Sequence, residues 1–295
     1  MKGKAVVVGG SGFMGSHLAD ELTARGYDTV IVDRVPSPWL QPGQEMVVAD
    51  TDDLEALKAA FAGARFVYHL AGIADIEATA NRPLEVVRAN IMGSANAIEA
   101  SLAAGVERFI FASTVYVYSQ QGSFYRVSKQ ATELLLENYH KEFGLAYTIL
   151  RYGSIYGPRS QSWNGMRRYV SQAVKTGVLL YPGTGEERRE YVHVKDAARL
   201  SVDILAPEYA NACYILTGTQ VLSSRDLTNL IREILGGRVD VQFDPANRAP
   251  EHYSLTPYRY TPKEGRKIVL TTFYDIGQGV LELIEEAIRD AGPED

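Results

Sequence analysis

Residues 4–15 read KAVVVGGSGFMG, and the rest of the chain is interpreted around this stretch. Ala5 to Val8 is a short apolar run rich in β-branched residues, which is typical of a buried parallel strand. Glycines interrupt the run, and apolar residues then recur at helical spacing from Met14 to Leu22. The stretch therefore predicts a strand, a tight glycine turn and a helix.

Three glycines in this turn are suited to separate tasks. Gly9 lets the chain turn sharply, Gly12 lets a phosphate approach the backbone, and Gly15 lets the helix lie close to the strand. The start of the helix presents free N–H groups and the positive end of the helix dipole, which suit a pyrophosphate. On this motif alone, a glycine-rich turn without a ligand is the alternative interpretation.

An acidic residue follows at the distance expected for a dinucleotide site. A second apolar run, 29–32, ends at Asp33, about 20 residues beyond the turn, where a carboxylate binds the hydroxyls of the adenosine ribose. Asp33 favours NAD over NADP because a carboxylate repels a 2′-phosphate. Arg34 weakens this preference, since an arginine accommodates that phosphate.

Composition limits the class of protein. The chain has 295 residues, enough for one large or two modest domains, and its net charge of −6 does not indicate nucleic acid or an anionic membrane as a partner. No apolar stretch reaches the roughly 18 residues of a transmembrane helix, and we expect neither a signal peptide nor a metal site. The single cysteine, Cys213, fits a reducing compartment and core packing, so we expect a cytoplasmic protein.

Strands and helices alternate through the first half of the chain. Further strand-like runs lie at 46–49, 66–70, 108–112 and 146–151, and helices are expected at 53–61, 84–104 and 128–143. This rhythm predicts an α/β fold with a doubly wound parallel (Rossmann) sheet and helices on both faces. Ligands lie at the carboxyl ends of such strands, which here are Asp33, Asp50, Ala71-Gly72, Ser113-Thr114 and Arg151-Tyr152.

The second half is less regular and is predicted to form a smaller C-terminal α/β lobe that binds the substrate. Helices are expected at 166–175, 195–205, 223–235 and 279–288, with a strand-like run at 190–194. We assign 1–153 and about 187–210 to the dinucleotide-binding domain. The substrate-binding lobe takes 154–186 and 211–295.

Tyr125 and Lys129 are the sharpest indication of catalysis. They are four residues apart at the start of a predicted helix and therefore share one face. A neighbouring ammonium lowers the pKa of a tyrosine, and a nicotinamide cation acts the same way, which suits proton exchange with a sugar hydroxyl. Thr114, at the end of the fifth strand, can donate a hydrogen bond to the reacting oxygen. The alternatives are a tyrosine packed along a lysine stem and a threonine that satisfies local backbone.

Together these features resemble the extended short-chain dehydrogenase/reductase family, in its branch of NAD-dependent nucleotide-sugar epimerases and dehydratases. The resemblance extends to about Leu235. It is carried by Gly9-x-x-Gly12-x-x-Gly15, Asp33, His69-Leu70-Ala71-Gly72, Asn90, Ser113-Thr114, Tyr125-x-x-x-Lys129, and the runs 150–159, 183–185 and 189–196.

The resemblance implies a role for individual residues. Tyr125 is the expected acid/base, Lys129 binds the nicotinamide ribose and polarises Tyr125, and Thr114 takes the place of the catalytic Ser/Thr. The implied cofactor-binding residues are Gly9, Gly12, Phe13, Met14, Gly15, Asp33, Arg34, Asp50, Leu70, Ala71, Gly72, Asn90, Ser113, Tyr125, Lys129 and Tyr152. The implied substrate-binding residues are Thr114, Ser154 and Arg189.

Arg189 matches the arginine that binds the diphosphate of the nucleotide sugar in relatives. A guanidinium suits that task because it meets phosphate oxygens with two parallel hydrogen bonds. The alternative is a surface ion pair with Glu186, Glu187 or Glu190.

The chain departs from the family pattern near the expected sugar. Only eleven positions separate Thr114 from Tyr125, a shorter stretch than relatives carry. Arg126 and Ser154 stand where relatives have Gly and Asn. Val115-Tyr116 replaces the Asp-Glu pair of 4,6-dehydratases, which argues against dehydration because no carboxylate protonates the leaving hydroxyl.

We therefore expect an NAD-dependent epimerase of a nucleoside-diphosphate sugar, which acts through a transient keto sugar with hydride passed to and from NAD at C4. One alternative is an NAD(P)H-dependent reductase or dehydrogenase of a nucleotide ketosugar. Another, from a different class, is a cofactor-binding regulator without turnover. Relatives often pair through two long helices, here 84–104 and 128–143, so we expect a homodimer.

Overall fold

A computed structural model describes residues 2–247 and 252–260 and the single positions 278, 280, 281 and 284. The chain divides into two units, of which the first ends at residue 261, and every strand and helix whose bounds are described lies in the first unit. In the second unit positions 278, 280, 281 and 284 are helical, and the rest of the helix predicted at 279–288 lies outside the described residues.

The order of elements confirms the predicted alternation of strands and helices. In the described part of the chain the strands are β1 Lys4–Val8, β2 Asp28–Asp33, β3 Gln44–Val48, β4 Ala64–His69, β5 Arg108–Thr114, β6 Tyr147–Tyr152, β7 Ser154–Tyr156, β8 Val178–Tyr181, β9 Arg188–His193, β10 Ala212–Leu216, β11 Val221–Ser223 and β12 Asp240–Phe243. The α-helices are α1 Phe13–Ala24, α2 Leu54–Phe61, α3 Ile76–Ala80, α4 Pro83–Val86, α5 Gly93–Ala104, α6 Ser123–Phe143, α7 Gly165–Thr176, α8 Val194–Asp203 and α9 Ser224–Ile234.

The central sheet has seven strands in the order β10-β6-β5-β4-β1-β2-β3, and all neighbours run parallel. Alternate residues of β1 face opposite sides, as the pleat requires. Val6 and Val8 join an apolar layer with α2, α5 and α6, whereas Ala5 and Val7 join a second layer with α1 and α8. The predicted doubly wound Rossmann fold is confirmed.

Two smaller sheets follow in the second half of the first unit. One has the order β11-β9-β7 and the other pairs β12 with β8. A separate apolar cluster, with Ala173 on α7, Leu179 on β8 and Leu227 on α9, packs these elements together. Between helices α4 and α5 the chain forms a π-helical segment, Val87–Met92, so the single helix predicted over 84–104 is interrupted.

Two strands belong to a different sheet from the one that the predicted domain boundaries imply. β10, inside the segment assigned to the substrate lobe, is the edge strand of the central sheet and pairs with β6. It belongs there because Cys213 and Tyr214 pack on opposite apolar layers of that sheet. β9, assigned to the dinucleotide-binding domain, pairs with β7 and β11 instead. The division into two functional lobes itself stays a prediction.

Helix α6 begins five residues before the predicted start at Ser128. Gly122 precedes it with φ of 98°, a left-handed conformation that a side chain rarely adopts, and an added Cβ would lie 2.8 Å from the Tyr116 ring. Tyr125 and Lys129 therefore both lie within the first two turns of α6. Among the described helices, none has both the length and the apolar character that a membrane crossing requires.

Candidate active site

The glycine turn between β1 and α1 packs too closely for side chains. Gly9 has φ of 85°, and a Cβ there would lie 2.5 Å from the backbone nitrogen of Ala71. A Cβ on Gly15 would lie 2.2 Å from the carbonyl oxygen of Gly9. Helix α1 begins directly after Gly12, so its first N–H groups face the space beside the turn. The geometry is the one that the sequence predicts for a pyrophosphate site.

A cleft of about 720 Å³ opens at the carboxyl ends of the central strands. It brings together residues that lie far apart in the chain. With the single exception of Asn90, every residue implied as cofactor-binding lines it: Gly9, Gly12, Phe13, Met14, Gly15, Asp33, Arg34, Asp50, Leu70, Ala71, Gly72, Ser113, Tyr125, Lys129 and Tyr152. Thr114 also lines this cleft.

Asp33 is fixed at the end of β2 by two backbone donors. Its Oδ2 accepts a hydrogen bond from the Ser11 amide at 3.1 Å, and its Oδ1 accepts one from the Val35 amide at 3.3 Å. The carboxylate therefore ties the glycine turn to the loop after β2. Its position beside that turn fits the predicted contact with an adenosine ribose.

Asn90 differs from the expectation, because it supports the cleft from behind rather than lining it. The residue is buried, and its Oδ1 accepts a hydrogen bond from the Ile73 amide at 2.7 Å. Its Nδ2 donates to the Ile73 carbonyl and to Ser128 Oγ, both at 3.0 Å. The π-helical segment that carries Asn90 thus joins the loop after β4 to α6, next to the catalytic candidates.

Tyr125, Thr114 and Lys129 meet at the inner end of the cleft. The Tyr125 hydroxyl is close enough to the Thr114 side chain to interact with it. Lys129 Nζ donates to the Ala112 carbonyl at 2.7 Å and lies 5.7 Å from the centroid of the Tyr125 ring. It also lies 4.7 Å from the centroid of the Phe111 ring. The predicted convergence of a phenol, an ammonium and a small hydroxyl is present.

Burial dominates the titration of this group. It raises the pKa of Tyr125 to about 12, although the interaction with Thr114 acts in the opposite direction. It lowers the pKa of Lys129 to about 8, and the carboxylate of Glu133 opposes that shift. The pKa of Tyr125 is therefore raised overall in the protein alone, and its lowering by the Lys129 ammonium stays a prediction. The further lowering by a nicotinamide cation stays a prediction.

A second cavity of about 210 Å³ adjoins the cleft. The two share the lining residues Ala74, Asp75, Ile76, Ile155, Trp163 and Asn164. Both remaining substrate candidates, Ser154 and Arg189, line this second cavity. Ser154 Oγ lies 3.3 Å from the hydroxyl of Tyr253, and the Arg189 guanidinium lies 5.1 Å from the centroid of the Tyr253 ring.

The three glutamates near Arg189 have other partners. Glu186 pairs with Arg225 at 3.4 Å, and Glu190 accepts a hydrogen bond from the Tyr258 hydroxyl. The Glu187 carboxylate accepts from the backbone amides of residues 184 and 185 at 3.0 and 2.9 Å. Among the described residues Arg189 forms no ion pair with any of them, so the alternative interpretation of this arginine is wrong.

Residues that the sequence did not indicate complete the site. The Tyr116 hydroxyl lies 2.6 Å from Nδ1 of His252, and the Tyr116 ring lies 4.6 Å from that of Tyr253. Behind the cleft, the Arg151 guanidinium and the Glu133 carboxylate form two hydrogen bonds of 3.0 and 2.6 Å. No motif marks these contacts, because they join side chains that are distant in the sequence.

The parallel sheet, the glycine turn and the tyrosine–lysine pair define a Rossmann-fold protein of the short-chain dehydrogenase/reductase type. Residues 5–212 match the NAD dependent epimerase/dehydratase family, and the chain belongs to this family. The predicted family is confirmed.

Known relatives fall into more than one activity. The chain is 30% identical over 232 residues to a UDP-N-acetyl-alpha-D-glucosaminuronate decarboxylase of Bacillus cytotoxicus, covering 68% of this chain and 71% of the relative. It is similar to the structure of UDP-glucose 4-epimerase with UDP-glucose from Thermotoga maritima, with a TM-score of 0.79, 28% identity, and coverage of 88% and 90%. The Thermus thermophilus UDP-glucose 4-epimerase complex with NAD gives a TM-score of 0.76, 26% identity and the same coverage.

Proposed function

We propose that this protein is an NAD-dependent epimerase of a nucleoside-diphosphate sugar. The observation that carries the proposal is the meeting of Tyr125, Thr114 and Lys129 in the cleft that also contains the glycine turn. Structures of similar folds with UDP-glucose and with NAD support it. The residues of this chain also fit a dinucleotide, because the start of α1 offers N–H donors and Asp33 offers a carboxylate for a ribose.

Bound NAD would supply a reversible hydride acceptor. On the protein side, Tyr125 takes the proton of a sugar hydroxyl as the carbonyl forms and returns it when the sugar is reduced again. Thr114 holds the reacting oxygen by a hydrogen bond that strengthens as charge develops there. Lys129 is held in place by its hydrogen bond to the Ala112 carbonyl. Its positive charge favours the phenolate of Tyr125 and so opposes the effect of burial on the pKa of that tyrosine.

Epimerisation further requires that the keto sugar turns between the two hydride transfers. Arg189 in the adjoining cavity is proposed to hold the diphosphate, so that the sugar extends into the cleft towards Tyr125. The nucleotide then stays bound at one end of the site while the sugar at the other end turns its opposite face towards the cofactor.

Two other reactions of the family make distinct demands. Dehydration needs a carboxylate near the leaving hydroxyl, and Val115 and Tyr116 supply none at the positions after Thr114. A ketosugar reductase would consume external NADH with each turnover, whereas an epimerase returns the hydride to its substrate. Consumption of NADH by the purified protein therefore separates the reductase from the proposed epimerase.

The first test removes only the phenolic oxygen of Tyr125. We expect Tyr125→Phe to lower turnover at least about 100-fold, in the range that acid/base groups contribute, while NAD still stabilises the protein in a thermal-shift assay. The assay is run with NAD and a panel of UDP-, GDP-, dTDP- and CDP-sugars, which also identifies the substrate.

Tyr139→Phe is the matched control, because Tyr139 lies on the same helix and its hydroxyl contacts Glu99 outside the cleft. Its turnover should equal that of the unaltered protein. Full activity of Tyr125→Phe would remove Tyr125 from the mechanism.

The assembly and the compartment also stay proposals. We propose a homodimer formed by the 84–104 and 128–143 helices, where Leu84, Met92, Leu134 and Phe143 are exposed. A solution mass equal to the 32.5 kDa of one chain would contradict it. A cytoplasmic location rests on the cysteine usage alone.

A further inference from the structure

Three distant parts of the chain meet on the wall between the cleft and the second cavity. Tyr116 follows β5 and lines the cleft, whereas Arg189 on β9 and His252 line the second cavity. The family match ends at residue 212, so His252 and Tyr253 lie outside it.

The contacts form a continuous chain of polar groups. The Arg189 guanidinium is close enough to the Tyr116 hydroxyl to interact with it, and that hydroxyl lies 2.6 Å from Nδ1 of His252. Tyr253 packs against two of these residues, because its ring lies 4.6 Å from the Tyr116 ring and 5.1 Å from the Arg189 guanidinium. The Tyr116 ring also meets the Tyr125 ring edge to face at 6.5 Å.

The direction of these hydrogen bonds follows from the protonation states. Burial, and after it the charges of Arg189 and Arg168, lower the pKa of His252 to about 4, although Asp75 opposes the shift. His252 is therefore neutral at pH 7 and offers an acceptor nitrogen. The Nε2 atom of His252 lies 3.9 Å from a Glu77 carboxylate oxygen, so we assign the ring proton to Nε2; Nδ1 then accepts from the Tyr116 hydroxyl, and the Tyr116 oxygen is left to accept from Arg189, which only donates.

We propose that Tyr116 and His252 are positioning residues that orient Arg189 for the diphosphate of the substrate. This inference rests on the proposed function, in which Arg189 binds that diphosphate. An N–H of Arg189 directed at the Tyr116 oxygen would aim the remaining donors of the planar guanidinium as a set. Fixing a long flexible side chain before binding removes an entropic cost that the substrate complex would otherwise bear.

Tyr116 makes a second contact with the site, because its ring packs against the ring of Tyr125. Its ring edge lies in the cleft beside the acid/base, while its hydroxyl lies at the diphosphate end. Tyr116 thereby sets the spacing between Arg189 and Tyr125, the two points that a nucleotide sugar must reach at once. A substitution that keeps the ring and removes the hydroxyl separates these two contacts.

The experiment uses NAD-loaded protein and UDP as the probe, with the dissociation constant measured by calorimetry. We expect Tyr116→Phe to raise the dissociation constant of UDP about tenfold, the effect of one lost charge-assisted hydrogen bond. KM for the nucleotide sugar should rise by a similar factor while kcat changes less than about twofold. NAD affinity should not change.

His252 provides an independent variant and a conservative rescue. His252→Leu removes the acceptor and should weaken UDP binding as Tyr116→Phe does. His252→Asn places an amide oxygen near the position of Nδ1 and should restore most of the affinity. In protein that already carries Arg189→Ala, Tyr116→Phe should have no further effect.

The outcomes separate this inference from the proposed function. If Arg189→Ala weakens UDP binding but Tyr116→Phe and His252→Leu do not, the positioning role is wrong and the role of Arg189 stands. If Arg189→Ala leaves UDP affinity unchanged, the proposed diphosphate site itself is wrong. A fall in kcat with unchanged KM in Tyr116→Phe would assign Tyr116 to the chemical step and would overturn the positioning role.

Discussion

At the scale of one residue, we propose that Asp33 selects the dinucleotide that the cleft accepts. Its two carboxylate oxygens accept from the Ser11 and Val35 amides, so the charge is held next to the glycine turn. A 2′-phosphate at this position would meet that negative charge, whereas ribose hydroxyls would donate to it. Arg34 lines the same cleft and offers a guanidinium to a 2′-phosphate once the Asp33 carboxylate is removed.

We therefore expect Asp33→Asn to raise the affinity for NADP relative to NAD at least about tenfold, in line with the loss of one like-charge contact. Dissociation constants for both dinucleotides are measured by calorimetry. Asp28→Asn is the control, because it removes the same charge from the exposed opposite end of β2. An unchanged NADP-to-NAD ratio in Asp33→Asn would show that Asp33 does not select the cofactor.

At the scale of the element, the packing of helix α6 holds the proposed catalytic residues in place. Helix α6 carries Tyr125, Lys129 and Glu133, and the Glu133 carboxylate joins it to Arg151 on β6 and to Ser113 on β5. Glu133 and Arg151 are only 3% and 8% exposed, so removal of one partner leaves a buried charge uncompensated.

Arg151→Met should accordingly lower the free energy of unfolding by about 3–5 kcal/mol, the usual cost of breaking a buried ion pair. Urea unfolding at constant pH provides the measurement. Arg65→Met, which breaks the ion pair with Glu107 whose side chains are both 48% exposed, should cost less than about 1 kcal/mol. Equal losses for the two variants would mean that the buried pair does not hold α6 in place.

The strands and helices also show how much of the fold could be predicted from the sequence. The strands of the central sheet that lie in the first half of the chain were predictable, because buried parallel strands such as β1 and β4 are nearly continuous apolar runs. The short strands β7 and β11 were not, since three residues of mixed polarity show no periodicity. The early start of α6 was missed because it depends on the left-handed conformation of Gly122.

The site divides in the same way. Residues at strand ends, such as Asp33 and Thr114, were predictable because parallel strands deliver their carboxyl ends to one edge. Asn90 was predicted to contact the cofactor, but it does not line the cleft and instead hydrogen-bonds to the backbone of Ile73. The contact between Tyr116 and His252 spans 136 positions, and no local pattern predicts a pair so far apart.

At the scale of the whole molecule, we propose that the two adjoining cavities determine the reaction. The cleft of about 720 Å³ contains the predicted cofactor and acid/base residues, and the cavity of about 210 Å³ contains Arg189. A substrate held at its diphosphate can turn its sugar while the cofactor stays in the cleft. The central claim is that hydride leaves and returns to the same carbon within this one site.

Proton NMR of the reaction in D₂O tests that claim most directly, with NAD-loaded protein and the panel of nucleotide sugars. We expect one sugar to convert to its C4 epimer with no net NADH formed and with the original hydrogen retained on C4. A decarboxylase would instead release CO₂ and take up solvent deuterium at the carbon that had carried the carboxylate. Deuterium at C4 of the product, or no epimer from any sugar of the panel, would contradict the account.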